Sequence, residues 1–449
     1  MMRKSKRFPA LALVLLAASC TTIGTNTGGS AQTGTASSRW TDSVLASMTL
    51  REKAAQIVWP SLFGDYTSGD SPQWRRLTQY IQQEKVGGFT ISVGSPIEVA
   101  AKLNALQSMS KIPLLFGADL EAGAGFRARG GYFVPNAIDL GGAIVFPPEM
   151  AIGATRDTTL AYEQGRLTAL EGRALGIHIA YAPVLDVNNN PDNPVINTRS
   201  YGEDPQLAAR MGVAFIHGLQ DHGMIATGKH FPGHGDTGVN SHLALPVVTV
   251  SRSRLDTVEL VPFRAAVNGG VGAIMSFHGA MPALDSSGVP GTLSSKVLTG
   301  LLRGEMGFRG IIISDAMDMR GVLDQFGAGE AVKRAIAAAD SADVTIVSSY
   351  VGQSWDALTA SAPQAFMDFV QTLVRRGRKP IVVAFGNPYL LHQLPWVGTY
   401  LVAWGGFPVS QTAAARALLG TSEISGHLPI SIPPYVSRGT GEERAARVP

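Results

Sequence analysis

The sequence predicts an α/β protein: a TIM-type (β/α)₈ barrel followed by a small, shortened α/β sandwich domain. Three observations lead there. Short apolar runs alternate with helical patterns, which implies a parallel sheet with helices outside it. Seven such runs fall within about 280 residues, a density that suits a barrel better than an open sheet. Polar residues recur where these runs end, at Asp119, Asp186, Lys229, His230, His278 and Asp315, and a barrel gathers such ends at one mouth. Composition agrees with a large buried core, with 45% hydrophobic and 16% charged residues, and excludes a disordered or coiled-coil chain. A net charge of +3 over 449 residues leaves no basic face for nucleic acid.

The N-terminal residues read as an address. Arg3, Lys4, Lys6 and Arg7 form a basic head, an apolar run spans 11–18, and small residues end at Cys20. That run is too short to span a bilayer and fits a secretory signal over 1–20. Cys20 is the only cysteine, so a disulfide framework and a thiolate zinc site are both excluded. A lone cysteine after Ala17, Ala18 and Ser19 resembles a bacterial lipobox, which implies an exported, periplasmic protein meeting the membrane only through a lipid anchor. Ordinary cleavage, with Cys20 discarded, is the rival reading. Residues 21–39 are rich in Ser, Thr and Gly and read as a flexible tether.

The barrel is placed over 40–339. Its strands are 55–60, 87–92, 113–119, 178–186, 224–230, 272–278 and 310–315, and its helices 72–84, 96–108, 154–175, 204–221, 254–268 and 294–305. A helix at 328–339 runs into the strand-like 342–349. Counted in order, that strand would be the eighth of the barrel. The sequence after it (helix 363–376, strands 380–385 and 399–404, helix 410–419) reads as a second domain, so 342–349 is assigned to a sandwich remnant over 340–449.

Chemistry concentrates in the run from Lys229 to His242. His230, His234 and His242 lie within it, and His230 and His234 have the i, i+4 spacing of a zinc helix. Pro232 and Gly233 break any helix between them, so no metal is expected. A loop leaving a strand is the better reading, its glycines letting the backbone turn over the mouth and His242 acting as a proton carrier.

The run K-H-F-P-G-H-G-x₄-N-S-H resembles the signature of glycoside hydrolase family 3, in its β-N-acetylhexosaminidase branch. Asp119-Leu120-Glu121, Ala182 to Asp186, Thr198 to Gly202 and Ser314 to Met319 resemble the family as well. The resemblance implies a retaining enzyme without cofactor, acting on carbohydrate such as terminal β-linked N-acetylglucosamine. It implies Asp315 as nucleophile and His242 as general acid/base, while Asp119, Arg127, Arg199, Lys229 and His230 hold the sugar. For Arg199, an ion pair with Glu203 or Asp204 is an equal alternative. The physical reading fits, because a retaining glycosidase sets a nucleophile and a proton carrier on opposite sides of the anomeric carbon. One departure stands out. The family usually reads D-S-H, whereas this chain has Asn240, which accepts a hydrogen bond but cannot stabilise imidazolium. A β-glucosidase of the same family, an impaired sugar-binding lipoprotein, and a metal-dependent hydrolase using His230, His234 and Asp236 are the alternative functions.

Overall fold

The structure is a computed structural model. It describes residues 36–130, 141–338, 345–349, 370, 371, 374, 375, 381–384, 386–404 and 408–446. The signal segment, Cys20 and most of the tether lie outside these residues. So does most of the helix expected at 363–376. The last four residues assigned to the tether are helical, the start of α1 (Ala36–Ser47). Of the described residues, 36–48 fall in a separate unit from those that begin at Thr49.

Eight parallel strands close into a ring in the order β1 to β8. They are β1 (Val58–Leu62), β2 (Gly88–Ile91), β3 (Leu115–Ala118), β4 (Ile179–Ala180), β5 (Ile225–Phe231), β6 (Ala273–Ser276), β7 (Ile311–Ser314) and β8 (Thr345–Ser349). β8 corrects the sequence reading. It pairs with β7 through Ile312↔Thr345 and with β1 through Val58↔Val347, so 345–349 closes the barrel and does not open a second domain. Apolar content alone could not decide this, because strand pairing is set by distant partners. β1 is also displaced from the expected 55–60. Thr49 and Glu52 form a reciprocal capping box that commits Leu50–Gln56 to a helix, α2.

Local caps explain the outer layer. Ser71-Pro72, Ser95-Pro96 and Asp204-Pro205 each place a side-chain acceptor at the N-cap and proline at the first helical turn. They open α3 (Pro72–Gln79), α4 (Pro96–Met109) and the helix Pro205–Gln220. The expected helix 154–175 is two, Glu149–Thr155 and Thr158–Ala174, split where Arg156 turns left-handed and Asp157 caps the second. The helix expected at 328–339 is the end of a longer one, Arg320–Ala338, kinked at Gly327.

Strand alternation sorts the core. Ile179, Ala273, Met275 and Ile313 join Trp59 and Tyr181 in one small cluster, whereas their neighbours Ala180, Ile274 and Ile312 belong to a far larger one. Successive strand residues face opposite ways, so the small cluster plugs the ring and the large one lies between ring and helices. That plug makes the barrel a solid floor for whatever sits at its mouth.

Beyond the ring, β9 (Ile381–Ala384) and β10 (Thr399–Val402) form a two-stranded parallel sheet, followed by the helix Pro408–Leu419. The C-terminal segment is tied to the barrel loops. Glu203 accepts from the Ser431 backbone and hydroxyl at 2.7 and 2.6 Å, and Asn188 Nδ2 donates to Tyr389 Oη at 2.9 Å.

Candidate active site

The strand ends open into a cavity of about 390 Å³ whose wall includes Asp119, Arg127, Arg199, Lys229, His230, Asn240, His242 and Asp315; Asp186, Asp236 and His278 do not line it. Met275 and Tyr181 of the plug form part of its floor.

Lys229 is the hub of one side. Its side chain is 1% exposed, with Nζ 2.8 Å from Asp119 Oδ1 and 2.6 Å from Glu121 Oε1. A buried ammonium is tolerable only when paired. Burial works against its charge, but the two carboxylates more than offset this and raise its pKa. The pairing is reciprocal at Asp119, where burial favours the neutral acid but Lys229 and Arg127 hold the pKa at about 2. Arg127 also bonds Asp119. Arg199 pairs with neither Glu203 nor Asp204, the alternative to its sugar-binding role. Its guanidinium grips Glu121 through two bonds of 2.7 and 2.9 Å, while Glu203 holds Ser431 and Asp204 caps a helix. Such a fork fixes the guanidinium plane at the cavity wall. Glu121 is a site residue whose role the motif by itself does not name. The signal was available, since a lysine inside a strand needs carboxylates, and Glu121 lies two residues past Asp119.

Asp186 organises the loop. It is fully buried and accepts from His230 Nδ1 at 2.7 Å, from the His230 backbone at 3.1 Å, and from the His234 backbone at 2.6 Å. With Nδ1 so engaged, His230 presents Nε2, 3.4 Å from Arg199. His234 is a strut. Thr237 and Ser241 hydroxyls take its two ring nitrogens at 2.6 and 3.1 Å, and burial lowers its pKa to about 3. Gly233, at φ +134°, and Gly235, whose missing Cβ leaves room for the Val187 carbonyl, let this loop fold tightly.

The loop ends at His242. Asn240 Oδ1 accepts from His242 Nδ1 at 3.0 Å, which leaves Nε2 as the other ring nitrogen. Desolvation lowers the His242 pKa, opposed by the negative charge of Asp315. Asp236, four residues before Asn240, has Arg254 as its charged neighbour, and burial raises its pKa. Asp315 follows β7, its Oδ1 accepting from the Ala316 backbone at 2.8 Å. Burial pushes the carboxyl up, but the imidazoles of His230, His278 and His242 outweigh it and lower its pKa. His278 lies behind, bound through its two nitrogens to Thr292 Oγ1 at 2.8 Å and the Ala316 carbonyl at 2.9 Å. The cavity therefore joins a fixed carboxylate, a histidine short of positive charge, and one ion-paired network of Asp119, Glu121, Arg127, Arg199 and Lys229 able to meet hydroxyl-rich ligands.

The family model described as Glycosyl hydrolase family 3 N terminal domain matches residues 49–364. The chain belongs to glycosyl hydrolase family 3. Among its relatives in this family are a protein named Beta-hexosaminidase A from Pseudoalteromonas piscicida, 34% identical over 315 residues, and one named Beta-N-acetylglucosaminidase/beta-glucosidase from Cellulomonas fimi, 33% identical over 308. The alignments cover 63% and 67% of this family 3 chain and 51% of each relative, so the chain spans about half their length. A solved family 3 β-N-acetylglucosaminidase from Paenibacillus sp. str. FPU-7 superposes with a TM-score of 0.74 at 27% identity, covering 86% of this chain and 99% of that one.

Proposed function

We propose that this family 3 protein is a retaining β-N-acetylhexosaminidase that hydrolyses terminal β-linked N-acetylglucosamine, in muropeptides or chitin fragments. The observation carrying the reading is that Asp315 and the Asn240-held His242 open onto the same cavity as the ion-paired network of Lys229 and Arg199. In the first step the Asp315 carboxylate attacks the anomeric carbon, and the bond to the aglycone oxygen breaks as His242 gives that oxygen its proton. In the second, neutral His242 takes a proton from water, which attacks the same carbon and frees Asp315. Asp119, Arg127, Arg199, Lys229 and His230 hold the sugar. The relatives named β-hexosaminidase and β-N-acetylglucosaminidase support the glycone.

β-Glucosidase activity is the second reading, favoured by the double name of the Cellulomonas fimi relative. The residues after β8 are read as a sandwich-domain remnant, and Cys20 as the anchor of an exported lipoprotein. Release of p-nitrophenol from its β-N-acetylglucosaminide and β-glucoside, each with and without chelator, tests the function. Turnover of the former, insensitive to chelator, is expected. Sugar binding without turnover of either would overturn it, and turnover lost to chelator would replace it with a metal-dependent hydrolase.

A further inference from the structure

Glu149 lies on the cavity wall and has no part in the mechanism above. It opens the helix Glu149–Thr155, is 1% exposed, and accepts from the Val184 backbone through Oε1 and Oε2 at 3.1 and 3.2 Å. Among the described residues no cation forms an ion pair with it. Arg199 and Lys229, the nearest, are committed to Glu121 and Asp119, and Glu121 adds a like charge beside it. A buried carboxyl without a counter-ion keeps its proton, and burial indeed raises its pKa well above the carboxylate range. A neutral carboxyl needs only one oxygen for Val184 N–H. Among the described residues its oxygens accept only from Val184, so the O–H can turn to the cavity, whose other carboxylates accept only.

We propose that Glu149 donates this hydrogen bond to an acceptor oxygen of the bound sugar, and so strengthens glycone binding at the Glu121–Arg199 side of the cavity. The acceptor is an acetamido carbonyl or a ring hydroxyl, both neutral oxygens. The inference rests on the glycosidase reading. A structural role for Glu149, holding Val184 alone, is the rival.

Glu149→Gln keeps a neutral donor and an acceptor, whereas Glu149→Met keeps the length and neither. Kinetics on the two p-nitrophenyl glycosides and calorimetric binding of N-acetylglucosamine and glucose read both variants. We expect Glu149→Met to raise KM and weaken sugar binding about tenfold, the effect of one lost hydrogen bond, with kcat within about threefold. Glu149→Gln should restore both. A loss confined to N-acetylglucosamine assigns the acetamido carbonyl; a loss with both sugars assigns a hydroxyl. Unchanged sugar binding in Glu149→Met, or no rescue by Glu149→Gln, overturns the proposal. Should the wild type turn over neither glycoside, the glycosidase reading fails alone, because the binding arm still decides Glu149.

Discussion

Asn240 holds His242 twice, its Oδ1 accepting from the imidazole Nδ1 at 3.0 Å and from the backbone N–H at 2.9 Å. The ring is therefore oriented as a carboxylate would orient it, but without the negative charge that would keep its proton. Orientation and charge, usually supplied by one side chain, are separated at this position.

Asn240→Asp tests that separation. A carboxylate beside the imidazolium raises its pKa, so the alkaline limb of kcat/KM, which reports the acid in the free enzyme, should move upward. Activity should rise most for substrates with poor leaving groups, and little for activated aryl glycosides. Asp236→Asn should leave the limb in place. An unchanged profile in Asn240→Asp would mean that the charge at this position does not govern His242.

Asp315→Ala should abolish turnover without disturbing the fold, since among the described residues the side chain accepts only a local backbone bond. A fluorinated slow substrate should accumulate as an ester on the wild-type protein. Mass spectrometry of the labelled peptide would place it; a label on Asp186 or Asp318 would dismiss Asp315 as nucleophile.

Glu121→Gln removes one of two carboxylates facing Lys229 and half of the fork on Arg199. Breaking a buried ion pair on one side costs about 3–5 kcal/mol, so thermal unfolding should show a clear loss. KM should rise more than kcat falls, because the group displaced is the Arg199 guanidinium and not Asp315. A fall in kcat alone would contradict this placement.

His234 makes the fold acid-sensitive. Its folded pKa, about 3, lies below the unfolded value near 6.5. Its contribution is complete above the unfolded value and is lost as pH falls from there towards 3, at about 1.4 kcal/mol per unit. His234→Gln should flatten that part of the stability curve by roughly one proton. Denaturant titrations at several pH values measure the slope, and an identical slope in the variant would acquit His234.

Cys20→Ser should move the protein from the membrane fraction to the soluble periplasmic fraction. An unchanged distribution would end the lipoprotein reading.

The barrel was legible because each βα unit carries its own signals. Buried strands read as apolar runs, and Ser-Pro and Asp-Pro pairs mark helix starts in the chain itself. The motif residues were legible for a related reason: the loop from Lys229 to His242 is continuous, and its residues meet each other locally. Asn240 and His242 are two positions apart, so their contact needs no knowledge of the fold.

Pairings between distant segments were not legible. Whether 345–349 closed the ring or began a new sheet depended on strands β1 and β7, which no local pattern names. Arg199 had Glu203 and Asp204 close by in the chain, yet bonds Glu121, 78 residues away, because Asp204 was drawn to a helix start and Glu203 to Ser431. Charge was decided the same way. Glu149 and Glu121 are both glutamates buried in one wall, but Glu121 meets two cations that favour its charge, while Glu149, among the described residues, meets only a backbone N–H, and burial favours its neutral form. Sequence sets which groups can ionise and where the chain turns; the tertiary structure sets which charges share a low-dielectric space, and that decides what each group is.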